Sequence, residues 1–206
     1  SDVCSSDLKT VREARAHFGS RLVVVQYPLQ TGAGFHEIVD VLRMTLYKFK
    51  DEGGKPEKLP IPDAEKARAE ELHKELIEAI ASNDESLMEK YFEKGELDED
   101  EIKTGMKKAM INHDLFPLFC LSAERNMGSG RLMGFIDNVC PSANEMPVQK
   151  TQKGDMLTCD ANGPACLFIY KTISEPHVGE LSFFKVYSGT VKGGMELENE
   201  TTGVTE

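Results

Sequence analysis

Few residue types and spacings in this sequence point to catalysis. It has no Gly-x-x-x-x-Gly-Lys-Ser/Thr phosphate loop, no Gly-x-Ser-x-Gly nucleophile turn and no His-Glu-x-x-His zinc motif. Gly128, Gly130 and Gly134 are spaced almost like a phosphate-binding loop, but the third glycine comes one residue late and falls within a predicted helix. The five histidines stand singly in unlike contexts. We therefore predict no catalytic residue and no metal ligand in this chain.

The cysteines give no sign of a disulfide framework or a zinc site. Their number is odd and no two are spaced as Cys-x-x-Cys. Cys120 lies in an apolar run, which is typical of a small buried side chain rather than a nucleophile. Reduced thiols are the expectation, and with them a cytoplasmic location.

Charge is concentrated in one part of the chain. The 206 residues have a net charge of −11, and residues 51–104 hold 18 acidic against 8 basic side chains. No apolar run approaches the roughly 18 residues that a membrane helix needs. The acidity argues against a surface that embraces nucleic acid, although a local contact with RNA stays open. The acidic block is either a solvated helical insert or a docking surface for a basic partner.

Two separated stretches have the pattern of a parallel α/β unit. A helical pattern over residues 9–18 leads into the apolar strand Arg21–Gln26. A second β run, Leu115–Cys120, precedes a helix that ends at Pro141. We expect Val23–Val25 and Phe116–Phe119 to be neighbours in one sheet, with an α+β subdomain inserted at about residues 35–112.

The inserted stretch predicts a small β element followed by three helices. The β element covers Gly34–Leu42 and Thr45–Lys50. The helices are predicted to start at Asp63, Asp84 and Asp98. The third is the best signalled, because Asp98 can cap it and Glu101 can complete a capping box. On the first helix, five carboxylates are expected to remain available on the surface: Glu65, Glu70, Glu71, Glu75 and Glu78.

The two ends of the chain have a different character. Residues 1–8 are small and polar, and we interpret them as a foreign or disordered leader. Residues 142–164 are rich in turn-forming residues and predict a linker. Residues 165–206 contain three β runs, which are too few to close a barrel, so we expect the chain to be cut inside a β domain.

Four separated strings resemble elongation factor G in matching order. They are Leu87-Met-Glu-Lys-Tyr-Phe92, Gly95-Glu-Leu-Asp-Glu-Asp-Glu-Ile102, Pro117-Leu-Phe-Cys-Leu-Ser-Ala123 and Phe183-Phe-Lys-Val-Tyr-Ser-Gly189. The resemblance covers about residues 9–206. It implies an α/β fold: residues 9–141 would be the C-terminal part of a P-loop-type GTPase domain with an inserted subdomain, and residues 165–206 the start of an antiparallel β-barrel domain.

The resemblance also implies a site. Cys120-Leu-Ser-Ala123 is similar to the last of the family's GTP-site motifs, in which Ser122, Ala123 and the following Glu124 would border the guanine base. A loop at the carboxyl end of a strand can turn backbone N–H donors toward the guanine carbonyl oxygen, whereas adenine presents an amino donor there. Leu121 replaces the family's glycine, and Glu124 stands where the family often has an apolar residue.

By the same resemblance, the intact parent would be a GTPase that uses magnesium and couples GTP hydrolysis to ribosomal translocation. Its phosphate loop and switch regions would precede residue 9, so this chain alone should bind GTP and GDP negligibly and hydrolyse nothing. The implied partners are the ribosome, with its RNA, and the large-subunit stalk protein, which would meet the acidic insert. The alternatives are a ribosome-protection factor of the tetracycline-resistance type, a non-hydrolysing ribosome-binding relative and an unrelated acidic scaffold.

Overall fold

A computed structural model describes residues 6–51, 53–151 and 153–205. The chain divides into two compact units between Cys140 and Pro141. The α-helices of the described residues all belong to the first unit: α1 Ser6–Phe18, α2 Asp63–Ala81, α3 Glu85–Lys94, α4 Glu99–Ile111 and α5 Ser129–Val139. Of the predicted leader, residues 1–5 lie outside the described residues, while residues 6–8 form the start of α1. A helix extends readily at its end, because each added residue forms a backbone hydrogen bond without the cost of forming a new first turn.

The strands form several small sheets in a mixed α/β architecture. In the first unit they are β1 Leu22–Val24, β2 Gln26–Pro28, β3 Glu37–Asp40, β4 Thr45–Lys48, β5 Glu57–Leu59 and β6 Phe116–Leu118. In the second unit they are β7 Gln149–Lys150, β8 Met156–Leu157, β9 Cys166–Glu175, β10 Gly179–Ser188, β11 Glu198–Asn199 and β12 Val204–Thr205. The described strands do not close into a barrel.

The predicted pairing of sequence-distant strands is confirmed. Strands β1 and β6 are parallel neighbours, with Leu22 opposite Phe116 and Val24 opposite Leu118. About 90 residues of chain separate them. The backbone N–H of Val25 extends the pair by donating to the carbonyl oxygen of Leu118 at 2.9 Å.

The apolar run that predicted one strand forms two, and Val25 is the point of division. Its N–H bonds to Leu118 of the parallel pair, whereas its carbonyl oxygen accepts from the N–H of Val41 at 2.9 Å. Beyond it, β2 joins an antiparallel sheet in the order β2-β3-β4-β5. Pro28, at the end of β2, pairs with Ile38. The predicted strand therefore divides: Leu22–Val24 form β1, and Gln26 already belongs to β2.

The inserted stretch shares one core with the α/β strands. Side chains buried in this core come from β1, from the four-stranded sheet and from α2, α3 and α4. Helices α2 and α4 begin near the predicted positions, and the capping box of Asp98 and Glu101 is present. Residues 35–112 thus pack against the strands that flank them, and they bury the apolar faces of both parts together.

The second unit has a long hairpin as its main element. Strands β9 and β10 pair from Gly179 opposite Glu175 to Ser188 opposite Cys166, with register shifts after Phe183 and after Val186. The stretch predicted as a linker contains the short β7–β8 hairpin, which its turn-rich composition did not reveal. Strands β11 and β12 form a further two-stranded sheet.

Candidate functional site

The three residues predicted to border a guanine base lie in one closed loop between β6 and α5. Ser122 and Met127 exchange two backbone hydrogen bonds, from Ser122 N–H at 2.9 Å and from Met127 N–H at 3.0 Å. Within the loop, Asn126 N–H donates to the carbonyl oxygen of Ala123 at 3.1 Å. These bonds hold the loop in a defined shape at the carboxyl end of the parallel pair.

The three predicted residues have different roles within this loop. Ser122 is half-buried, and its N–H is used by the bond to Met127, so it closes the loop. Its hydroxyl oxygen also accepts from the N–H of Arg125 at 3.4 Å. Ala123 and Glu124 are exposed, and their backbone N–H groups donate to no described residue. These two amides are the donors that the loop can offer to a ligand.

The loop is anchored by its last residues. Met127 is fully buried against Ile38 and Tyr47. Gly128 follows in the left-handed region, with φ +82°. A Cβ there would lie 3.0 Å from the carbonyl oxygen of Cys120, so a side chain would be strained by conformation and crowded by the loop. Gly128 is also the N-cap of α5.

A cleft of about 820 Å³ opens beside this loop. Its floor includes Val24 and Leu118, which end the two parallel strands. Ser122 and Glu124 lie at its wall, whereas Ala123 is not among its lining residues. The other walls come from α1, α2, β2 and the segment after β2. Its volume is within the range of small-molecule sites, and the carboxyl ends of parallel strands are where α/β proteins bind ligands.

Two arginines that line the cleft, Arg15 and Arg68, each contact a side chain of another element. Arg15 on α1 donates from Nη2 to both carboxylate oxygens of Glu75 on α2, at 2.7 and 2.9 Å. The guanidinium of Arg68 lies over the ring of Tyr27, 4.1 Å from its centroid. The Tyr27 hydroxyl donates to Glu65 Oε2 at 3.1 Å. Burial, reinforced by this carboxylate, raises the pKa of Tyr27 to about 12.

This pairing corrects one expectation about the acidic face of α2. Glu65 is half-buried and accepts from the Tyr27 hydroxyl, so it is not available as predicted. The helical spacing placed it outward, but Tyr27 of β2 lies against that side of the helix. Glu75 is exposed as predicted, although it pairs with Arg15. Glu70, Glu71 and Glu78 are exposed.

No histidine is among the described residues that line the cleft. Of the carboxylates that line it, Glu75 pairs with Arg15, whereas Glu71 and Glu124 are exposed. Nowhere in the described part of the chain do three or more His, Cys, Asp or Glu side chains group as metal ligands would. Among the helices of residues 6–51, 53–151 and 153–205, none is both long and apolar enough to cross a membrane.

Sequence reasoning missed the cleft residues Arg15, Tyr27 and Arg68, and it missed the pairing of Arg15 with Glu75. Arg15 and Glu75 are 60 residues apart and sit on helices whose charged faces look alike in sequence. Only the packing of α1 and α2 against the same strands brings them together. No local pattern carried that information.

A solved structure of another protein resembles the chain along nearly its whole length. It is a crystal structure of a protein from Thermus thermophilus, with a TM-score of 0.70 and 25% sequence identity. The match covers 94% of this chain and 27% of that protein. The chain therefore spans about a quarter of the length of its structural neighbour. No protein-family profile matches the sequence.

Proposed function

We propose that this chain is part of an elongation factor G-like translational GTPase and supplies the guanine-base side of its GTP site. The observation that carries the proposal is the position of the Ser122–Glu124 loop. It lies at the carboxyl end of the parallel pair β1–β6 and at the wall of a cleft large enough for a nucleotide base.

The order of the four family-like strings supports the finer description. In it, residues 9–141 are the C-terminal part of a P-loop-type GTPase domain, with the insert at about residues 35–112. Residues 165–206 begin a β-barrel domain. The structural likeness covers 94% of this chain and therefore includes residues of both units, which also supports the proposal.

In this proposal, backbone amides recognise the guanine base. The N–H groups of Ala123 and Glu124 donate to the carbonyl oxygen of guanine, while the bonds between Ser122 and Met127 keep the loop rigid. Adenine would place its amino group against these donors and leave them unpaired in a partly desolvated site, which costs about 1–3 kcal/mol for each group. Phosphate and magnesium contacts, and GTP hydrolysis, belong to other segments of the parent protein.

A nucleotide titration followed by NMR tests the base site. GDP and inosine diphosphate share the carbonyl oxygen at position 6, and ADP carries an amino group there. We expect GDP and inosine diphosphate to shift the amides of Ala123 and Glu124 with affinities no better than about millimolar, and ADP to leave them in place. Equal shifts with ADP would remove base recognition from this loop. Micromolar GDP binding would contradict the assignment of the phosphate contacts to other segments.

The proposal extends to a partner of the acidic insert. In a cytoplasmic translation factor, the exposed carboxylates of α2 would dock to the large-subunit stalk protein of the ribosome. Surface charges are screened beyond about 8–10 Å at physiological ionic strength, so this association should weaken as salt rises. Exposed carboxylates of this helix that do not contact α1 are Glu70, Glu71 and Glu78.

A matched pair of charge reversals tests this docking surface. The variant Glu70→Lys, Glu71→Lys, Glu78→Lys should lower both the affinity for the stalk protein and the salt dependence of binding. The control Glu85→Lys, Glu89→Lys, Glu93→Lys makes the same change of charge on α3. Equal losses in both variants would point to net charge alone, and no loss in the α2 variant would remove this helix from the interface.

A further inference from the structure

The loop of the candidate site is supported from outside by the turn that connects β4 to β5. This β4–β5 turn includes Gly53 and Gly54. The N–H of Gly54 donates to the carbonyl oxygen of Asn126 at 3.4 Å. Gly53 lies so close to the loop that a Cβ on it would be 1.9 Å from the carbonyl oxygen of Arg125. Two consecutive carbonyl groups of the loop therefore rest against this turn.

Gly53 and Gly54 share a backbone conformation but differ in their contact with the loop. Their φ angles are +71° and +89°, so both lie in the left-handed region that favours glycine. A Cβ on Gly54 would meet nothing within 4 Å, whereas a Cβ on Gly53 would overlap the Arg125 carbonyl group. The conformation accounts for glycine at both positions, and the close approach gives a second reason for it at Gly53 alone.

The β4–β5 turn is itself tied to the four-stranded sheet. The N–H of Gly53 donates to the carbonyl oxygen of Lys50 at 2.8 Å, and the N–H of Phe49 donates to that of His36 at 2.8 Å. Nε2 of His36 lies 2.6 Å from Oδ1 of Asp51. Because residues of this sheet are buried in the core of the first unit, a side chain at Gly53 should displace the loop rather than the sheet.

The peptide groups that touch the turn are connected to those proposed to bind guanine. Asn126 is held at φ +51°, and its N–H donates to the carbonyl oxygen of Ala123 at 3.1 Å. The N–H of Arg125 donates to the Ser122 hydroxyl at 3.4 Å. Moving the carbonyl groups of Arg125 and Asn126 therefore pulls on both of these bonds, and with them on the backbone amides of Ala123 and Glu124.

We propose that Gly53 is a positioning residue for guanine recognition. It lets the β4–β5 turn rest against Arg125 and Asn126, and so fixes the direction of the amides of Ala123 and Glu124. Donors that are already aligned bind a ligand with a smaller loss of conformational freedom. Gly53 is not among the described residues that line the cleft, so it acts through the loop. This inference rests on the function proposed for that loop.

The variants Gly53→Ala and Gly54→Ala form a matched pair. Both place a side chain at positive φ in the same turn, but only Gly53→Ala puts a methyl group against the loop. In NMR spectra recorded without nucleotide, Gly53→Ala should shift the amides of Ala123 and Glu124, and Gly54→Ala should leave them nearly in place. Unshifted amides in Gly53→Ala would overturn the proposal, as would equal shifts in the two variants.

A GDP titration of the same variants measures the effect on recognition. Gly54→Ala should bind GDP within about twofold of the chain without substitution, and Gly53→Ala at least about fivefold more weakly. Equal affinity in all three chains would overturn the proposal. If the chain without substitution does not prefer GDP to ADP, the function proposed for the loop fails and the role of Gly53 in recognition fails with it. The spectra without nucleotide still show in that case whether the turn sets the shape of the loop.

Asp51→Ala decides the question if Gly53→Ala does not fold. The Asp51 side chain is exposed, so its removal loosens the tie to His36 without adding bulk and without disturbing the core. We expect smaller shifts of the amides of Ala123 and Glu124, with the buried amide of Val25 unchanged as the check on the core. An unshifted loop in this variant would then overturn the proposal.

Discussion

Both units of this chain contain strands with several apolar side chains, but these side chains are buried in the first unit and exposed in the second. All buried apolar side chains of the described residues lie at or before Val139, and the buried residue of the second unit is Ser188. Leu22–Val25 are at most 5% exposed, whereas Phe168 and Tyr170 are 58% and 61% exposed. An apolar β run therefore predicts a strand, but whether the side chains of that strand are buried depends on the elements that pack against it.

The difference follows from what covers each sheet. In the first unit, β1 packs against α1 and α2, and the four-stranded sheet shares the same core. In the second unit, β9 and β10 pair only with each other among the described strands. A two-stranded hairpin is marginally stable in water, because it can bury little of either face. The comparison predicts that stability resides in the first unit.

Amide hydrogen exchange should show the largest contrast. Val25 N–H bonds to Leu118 in the buried pair and should exchange only through unfolding of the first unit. The amides of β10 should exchange at least about a thousandfold faster, because opening the hairpin exposes little buried surface. Similar protection in both strands would break the comparison, and would mean that the hairpin has a covering that stabilises it.

Truncating one leucine in each unit should show the next largest effect. Leu76 is fully buried in the core, so Leu76→Ala should lower the free energy of unfolding by about 3–5 kcal/mol. Leu181 on β10 is 37% exposed, and Leu181→Ala should change it by less than about 0.5 kcal/mol. Urea denaturation of the two variants measures both values. A cost at Leu181 approaching that at Leu76 would place the hairpin in a cooperative core.

The same contrast explains how far the sequence predicted the fold. Helix starts and the Asp98 capping box were predictable because caps are local signals. The β1–β6 pairing followed from two apolar runs that each adjoin a helix, which is the pattern of a parallel α/β unit. The division at Val25 was not predictable, since Val25 is as apolar and as buried as the β1 residues before it. Within the candidate site, the Ser122–Glu124 loop came from a sequence resemblance, whereas the cleft depends on the approach of α1 to α2. Such contacts between distant residues leave no periodic pattern.

Alkaline pH offers a smaller and more specific test of the first unit. The pKa of Tyr27 is raised to about 12 in the folded chain and is near 10 in an unfolded one. Between these values the unfolded chain loses the proton while the folded chain keeps it, so the free energy of unfolding falls as pH rises above about 10. Below that pH the group adds no pH dependence.

Two tyrosine variants isolate this contribution. Tyr27→Phe should remove its part of the alkaline loss of stability, as followed by urea denaturation between about pH 9 and 11. Tyr170→Phe, at an exposed position of β9, is the matched control and should leave the slope as it is. Equal slopes in the chain without substitution and in Tyr27→Phe would show that the hydroxyl of Tyr27 is not protected in the folded state.

The smallest expected effect compares two capping side chains, one in each unit. Asp98 Oδ1 accepts from the N–H groups of Asp100 at 3.0 Å and Glu101 at 2.8 Å at the start of α4. Asn199 Oδ1 accepts from the N–H groups of Thr201 at 3.0 Å and Thr202 at 3.3 Å in the turn after β11. Asp98→Ala should cost about 1 kcal/mol in global unfolding, because α4 packs into the first unit's core. Asn199→Ala removes a similar pair of bonds from a unit whose described residues include no buried apolar side chain, so the same transition should hardly move. If both substitutions lower the free energy of global unfolding equally, the two units unfold in one cooperative transition. The second unit would then contribute to that transition although its described residues bury no apolar side chain.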